Sequence, residues 1–169
     1  MDKQALLTTV GDKLKAQFGE GLISSELLYD YPVFTVKRDV IIDLILFLYN
    51  DEELAFQYLT TMAAIHYPDN KGQELALVYQ LHNLPKNLRI RLKIFFPISD
   101  PHVPTLTPVF SAANWMEREA FDFYGVIFTG HPNLKRILNM EDMTYHPLRK
   151  EYPLEDGTRE DKDDRMFGR

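Results

Sequence analysis

Apolar side chains recur at Leu6, Leu7, Val10, Leu14 and Phe18, with Lys3, Asp12, Lys13 and Lys15 between them. That period of 3.6 predicts an amphipathic helix over residues 3–18, ended at Gly19. Val33 to Val36, after Pro32, reads as a short strand. Asp39 is placed to cap a helix over Val40 to Tyr49, which is apolar around most of its circumference and so covered on several sides. The period then changes to two. Phe56 to His66 is rich in strand formers and stops before Pro68. In Glu74 to His82, Leu75, Leu77, Tyr79 and Leu81 oppose Glu74, Ala76, Val78 and Gln80. In Leu88 to Phe95, Leu88, Ile90, Leu92 and Ile94 oppose Arg89, Arg91 and Lys93. Such alternation predicts an antiparallel sheet with one face on the core and one in water. Asn70-Lys71-Gly72 and Asn83 to Asn87 supply the turns. The Arg/Lys row reads as a solvated sheet face, with an acidic partner as the alternative.

Thr107-Pro108 is a cap and first-turn pair, so a second amphipathic helix is expected from there to Tyr124, with Gly125 as its left-handed C-terminal cap. It carries Glu117, Arg118, Glu119 and Asp122 among Trp, Met, Ala, Phe and Tyr. Glu117 falls on the packed side, and Arg118 and Asp122 stand at i, i+4 pairing distance. Charge this dense on an aromatic helix needs partners, because stripping one member from a buried pair costs about 3–5 kcal/mol. Beyond Leu138 the periodicity fades. The last fifteen residues, EDGTREDKDDRMFGR, have almost nothing to bury and read as an extended tail. Inert disorder is one reading of it; the other, from Met166-Phe167 and the preceding HPLRKEYPL, is a segment laid over a neighbouring subunit. The expected organisation is an α+β domain over residues 1–138, with helices packed against a mainly antiparallel sheet. Residues 139–169 follow as an extended, partner-docking tail.

Composition narrows the chemistry. With 169 residues and 45% hydrophobic content, one domain with a real core is expected. A net charge of −6 argues against a general nucleic-acid surface, and Arg89, Arg91 and Lys93 are the one strip that could make such a module. There is no cysteine, which removes disulfides, thiolate zinc sites, thiol nucleophiles and the usual ligation of iron–sulfur clusters. The N-terminus has no signal-peptide pattern, and Val40 to Tyr49 is too short to span a bilayer, so any membrane contact is expected through a partner.

The histidines at 66, 82, 102, 131 and 146 have no paired metal spacing, and no glycine-rich phosphate loop is present. A long-range metal site from His131, His146 and Glu117 is the remaining metal possibility. Glu117, Glu119, Asp122 and His131 could together support acid–base chemistry, with Glu117 and His131 as its working pair. The competing reading is an internal network of Glu117, Arg118, Asp122 and Arg136 that fixes the loop after the helix, with His131 ordering that loop by hydrogen bonding.

Two blocks go further. Glu117, Arg118, Glu119, Asp122, Tyr124, Gly125, Val126, Phe128, Gly130, His131, Pro132, Leu134, Arg136 and Ile137 match E-R-E-x-x-D-x-[FY]-G-[IV]-x-F-x-G-H-P-x-L-x-R-[IL], and His146 to Leu154 matches H-P-L-R-K-[DE]-Y-P-L. These blocks resemble the 30-kilodalton subunit family of NADH–quinone oxidoreductase (respiratory complex I). The resemblance implies a stand-alone, cofactor-free structural subunit of the hydrophilic arm. It would lie against the quinone-site subunit and the iron–sulfur subunits, on the cytoplasmic face of the inner (plasma) membrane. FMN, iron–sulfur clusters and quinone would sit on those partners. It implies docking or ordering roles for Glu117, Arg118, Glu119, Asp122, Gly125, Gly130, His131, Pro132 and Arg136. His146, Pro147, Arg149, Lys150 and the tail would engage the neighbour. Membrane-bound hydrogenases and plastoquinone reductases reuse the module and are the alternative setting. At His66 the chain departs from the acidic residue common in the family.

Overall fold

A computed structural model describes residues 2–153. In chain order it contains helix α1 (Lys3–Phe18), strands β1 (Leu22–Leu28) and β2 (Tyr31–Val36), helix α2 (Ile41–Asn50), and strands β3 (Tyr58–His66), β4 (Leu75–Asn83), β5 (Leu88–Phe96) and β6 (His102–Pro104). Helix α3 (Ala113–Tyr124) and strand β7 (Ile127–Thr129) follow. The five long strands form one sheet in the order β1-β2-β5-β4-β3, and β6 and β7 make a separate parallel pair. The large sheet is antiparallel except where β2 runs beside β5. This is the expected α+β fold.

Register explains where the core lies. Phe34, Leu92, Tyr79 and Met62 stand side by side across four strands, and each is buried. The helices cover this face. Gly11 of α1 sits under the Phe34 ring, while Leu44, Ile45 and Leu48 of α2 and Ala120 of α3 complete the same cluster. α1 ends where expected, with Gly19 at φ +52° and its N–H on the Lys15 carbonyl. Arg38 donates to the Asp100 and His102 carbonyls and pairs with Asp100 at 2.6 Å, which fixes the start of β6 and the loop that precedes it.

Three local expectations need correction, and one long strand is absent from the sequence pattern. β1 has no apolar alternation because it is an edge strand with nearly every side chain exposed, so the pattern could not announce it. Asp39 does not cap α2. Residues Arg38–Val40 form a 3-10 turn that leads into Ile41, and no side chain caps the helix. α3 begins at Ala113 rather than at Thr107. The Leu106 carbonyl accepts from Val109 and Phe110, and the Thr107 hydroxyl turns to Thr105, so residues 107–112 form turns that bury Phe110. Finally, Ala76 and Val78 of β4 are buried although they face away from the helices. β4 is a central strand between β3 and β5, with Phe95 opposite Ala76 and Lys93 opposite Val78.

Candidate functional site

The last turn of an α-helix leaves four carbonyls without helical partners. In α3 all four are satisfied by the chain that follows. Gly125, at φ +75°, returns its N–H to Phe121 at 2.9 Å. Arg136 and His146 both donate to the Asp122 carbonyl, at 2.9 and 3.1 Å. The Leu148 N–H reaches the Phe123 carbonyl at 3.2 Å, and Arg149 Nε donates to Tyr124 at 2.8 Å. Gly125 also makes room for this arrangement. A Cβ there would come within 2.6 Å of both Arg149 and the His146 ring. Only glycine combines a left-handed φ with that close approach.

The carboxylate of Asp122 is the hub of the same turn. It is fully buried and accepts from the N–H groups of Ile137, Leu138 and Asn139 and from the Asn139 amide, at 2.8–3.0 Å. Arg136 pairs with it at 2.7 Å and uses its other nitrogen on the Met143 and Tyr145 carbonyls. Burial alone would raise this carboxyl. The Asn139 and Leu138 N–H groups, then Arg136 and the Asn139 amide, outweigh burial and hold it far below the usual range.

Glu117, five residues earlier, is equally buried but has no cation beside it among the described residues. Its carboxyl is bonded by the Thr105 hydroxyl and the Leu106 N–H, both at 2.6 Å. Burial pushes it up to about 7, and the two hydrogen bonds pull back only part of that shift. Thr105 lies 3.0 Å from Thr107, so it can donate to an ionised Glu117 or accept from a protonated one while donating onward. The Tyr79 hydroxyl is buried without a hydrogen-bond partner among the described residues, and burial and the nearby Glu117 raise its phenol.

The expected Arg118–Asp122 pair does not form. Arg118 stacks on Trp115 at 5.2 Å and donates to the Lys135 and Arg136 carbonyls, because the loop after β7 folds back along the helix and takes Asp122 for itself. Nor does Glu117 join the network of Asp122 and Arg136; its partners come from the loop after β6. His131 bridges the start of α3 to its own loop, with Nε2 donating to Asn114 at 3.2 Å and Nδ1 accepting from Asn133 at 3.0 Å. Both ring nitrogens are therefore engaged in loop ordering, and Glu117 and His131 share no hydrogen bond. Gly130, at φ +86°, makes the turn that presents His131, and Pro132 is exposed beyond it.

In the second block, His146 and Arg149 point inward onto α3, Pro147 is half-buried and Lys150 is exposed. The Lys150 N–H donates to Nδ1 of buried His66 at 2.9 Å, which ties the segment to the end of β3. Leu154 and residues 155–169, the distal part of the expected tail, lie outside the described residues. Among the described residues no three His, Asp or Glu side chains gather into a metal site.

Residues 34–158, most of the chain, match the family described as "Respiratory-chain NADH dehydrogenase, 30 Kd subunit". The chain belongs to that family. Relatives whose names make them subunits of NADH-quinone oxidoreductase agree. The Nocardioides sp. protein is 43% identical over 121 residues, covering 72% of this chain and 48% of its own. The Mycolicibacterium gilvum protein is 39% identical over 149 residues, covering 88% and 65%. The chain thus spans about half to two-thirds of the length of these 30 Kd subunit relatives. Among solved structures, the trypsin-resistant fragment (1–134) of Nqo5 superposes with a TM-score of 0.63 at 25% identity, over 79% of this chain and 100% of the fragment. A chain of the membrane-bound sulfane sulfur reductase, an archaeal respiratory membrane complex, superposes at 0.73 with 21% identity over 87% of this chain and 85% of its own, a likeness of fold.

In this member of the 30 Kd family, the sequence pointed to Asp122, Arg136 and Gly125, and the structure brings them together. It gave no hint of Thr105, Tyr79 or Asn139. Three of Asp122's partners and one of Glu117's are backbone N–H groups, which every residue but proline carries, so no residue type could signal them.

Proposed function

We propose that this chain is a cofactor-free structural subunit of the hydrophilic arm of a proton-pumping NADH–quinone oxidoreductase. It would hold the quinone-site subunit and the iron–sulfur subunits in register for electron transfer from NADH to quinone. One observation carries the reading: the ionic residues of α3 and its loop are used to build a rigid surface. Asp122, Arg136, His146 and Arg149 satisfy one another and the helix end, and His131 and Glu117 are engaged apart. What faces outward is a set of side chains suited to a neighbour. Trp115 is 61% exposed, Leu138 69% and Met140 67%, with Glu119 and Lys150 beside them in the sequence blocks. Large apolar groups left in water next to fixed charges favour a protein interface.

In this reading FMN, the clusters and quinone sit on partner chains, residues 139–169 dock on the neighbour, and attachment to the cytoplasmic face of the membrane runs through the complex. No helix among the described residues is long and apolar enough to cross a membrane. The test is co-purification from solubilised membranes with a Trp115→Ser/Glu119→Lys variant. Trp115 and Glu119 are both exposed, and neither joins the Asp122 network, so melting of the isolated chain should stay unchanged while recovery of the accompanying subunits falls. Equal recovery from variant and wild type, or small-molecule turnover by the purified chain alone, would end the proposal. The likeness to the archaeal respiratory complex favours one second setting, the equivalent place in a related membrane-bound complex, and the identities of the co-purified subunits separate the two.

A further inference from the structure

The sheet face turned away from the helices carries a column of three cations along β5, namely Arg89, Arg91 and Lys93. The chain as a whole has a net charge of −6, and Lys3, Lys13, Lys37, Arg38, Arg136 and Arg149 each have a carboxylate partner. Among the described residues, none of the three β5 cations has a carboxylate within 4.0 Å. The two acids that the register places on this face do not neutralise them. Glu26 of β1 is exposed and makes no ion pair among the described residues, and Glu74 before β4 is bonded by the N–H groups of Gly72 and Ile98.

Two of the three cations are also held in position, while Arg89 is exposed. The Arg91 guanidinium lies 4.9 Å over the Tyr31 ring, and its Nε is buried with no acceptor among the described residues. Lys93 stands 4.5 Å over Phe95 and donates to the Tyr67 hydroxyl at 3.1 Å. Side chains fixed this way lose little further freedom when a ligand arrives.

We propose that this column is a docking strip for an extended acidic segment of a partner polypeptide, with carboxylates at alternate positions. Charge complementarity and spacing both argue for that occupant. Residues i and i+2 of a strand project on one side about 6.8 Å apart, and an extended peptide repeats its side chains at the same interval. A nucleic acid fits less well. The rings it would stack on, Tyr31 and Phe95, are already covered by Arg91 and Lys93, and the net negative charge opposes a polyanion. The strip is on the opposite side of the sheet from the α3 surface, so it stands or falls separately from the proposed function.

The experiment is fluorescence anisotropy on the full chain at low ionic strength. It uses a labelled peptide with Asp at every second position and an isomer with the same Asp residues in one block. The alternating peptide should bind more tightly and lose affinity as salt is added. An Arg89→Gln/Lys93→Gln variant, with unchanged melting, should bind about tenfold more weakly, the equivalent of about 1.4 kcal/mol. Equal binding of the two peptides, no effect of the variant, or tighter binding of an oligouridine would overturn the assignment. So would about tenfold tighter peptide binding by an Asp161→Asn/Asp163→Asn variant, because the chain's own acidic residues would then be the occupant.

Discussion

Glu117 and Asp122 lie on one helix, five residues apart, and both are fully buried, yet their carboxyls move in opposite directions. Asp122 accepts three backbone N–H groups and an amide and faces Arg136, so its charge is better solvated in the fold than burial is costly. Among the described residues Glu117 has two donors and no cation, and desolvation wins. Burial alone therefore does not decide whether a carboxyl is ionised. The number of donors aimed at it does, and whether one of them is charged.

The largest effect that would break this contrast is Arg136→Ala. It leaves Asp122 buried without its cation and frees the Met143 and Tyr145 carbonyls, so unfolding in urea should show a loss of about 3–5 kcal/mol. A loss within the range of an exposed ion pair would show that the backbone N–H groups suffice.

The pH dependence sharpens it next. Glu117 has a folded pKa near 7 against an ordinary 4.5, so its contribution is fully present below about 4.5 and is lost as pH rises through 7. Asp122 behaves inversely. Its contribution is present above the ordinary 3.8 and is lost as pH falls below it. From these two groups, stability peaks between roughly pH 4 and 5. Glu117→Gln should change little at the acid end of that window and should raise stability at pH 8.5 by up to about 3 kcal/mol, the gap between 4.5 and 7 at about 1.36 kcal/mol per pH unit. Denaturant titrations of both proteins across pH check this, and a gain for the variant that is the same at every pH would refute a titrating Glu117.

Gly125→Ala comes third. The strained φ and the contact with Arg149 and His146 together should cost about 2 kcal/mol and expose residues 146–150 to protease. Intact protection after that change would mean the segment is held elsewhere. The smallest effect belongs to His66→Ala, which removes one acceptor from the Lys150 N–H. The expected loss is about 1 kcal/mol with faster amide exchange at Lys150, and unchanged exchange there would dismiss the tether.

Much of this protein could be read directly from its residues. The apolar period over residues 3–18 located α1 to the residue, since an exposed amphipathic helix ended by glycine has few alternatives. The alternation in β4 and β5 located two central strands because one of their faces must be dry. The two signature blocks identified the family. β1 stayed hidden because an edge strand with wet side chains carries no pattern, and Thr107 misled because its hydroxyl had a nearer partner in Thr105.

Local sequence determined most of the long elements, the absence of cysteine and which charges would need company. It could not determine that company. Whether Arg118 or Arg136 meets Asp122, and whether Glu117 meets a cation or a hydroxyl and an amide, depends on how the loops after β6 and β7 fold back on α3. Those partners are backbone amides and distant side chains, brought within hydrogen-bonding reach only by tertiary packing, and their geometry rather than their identity sets the charge of each buried group.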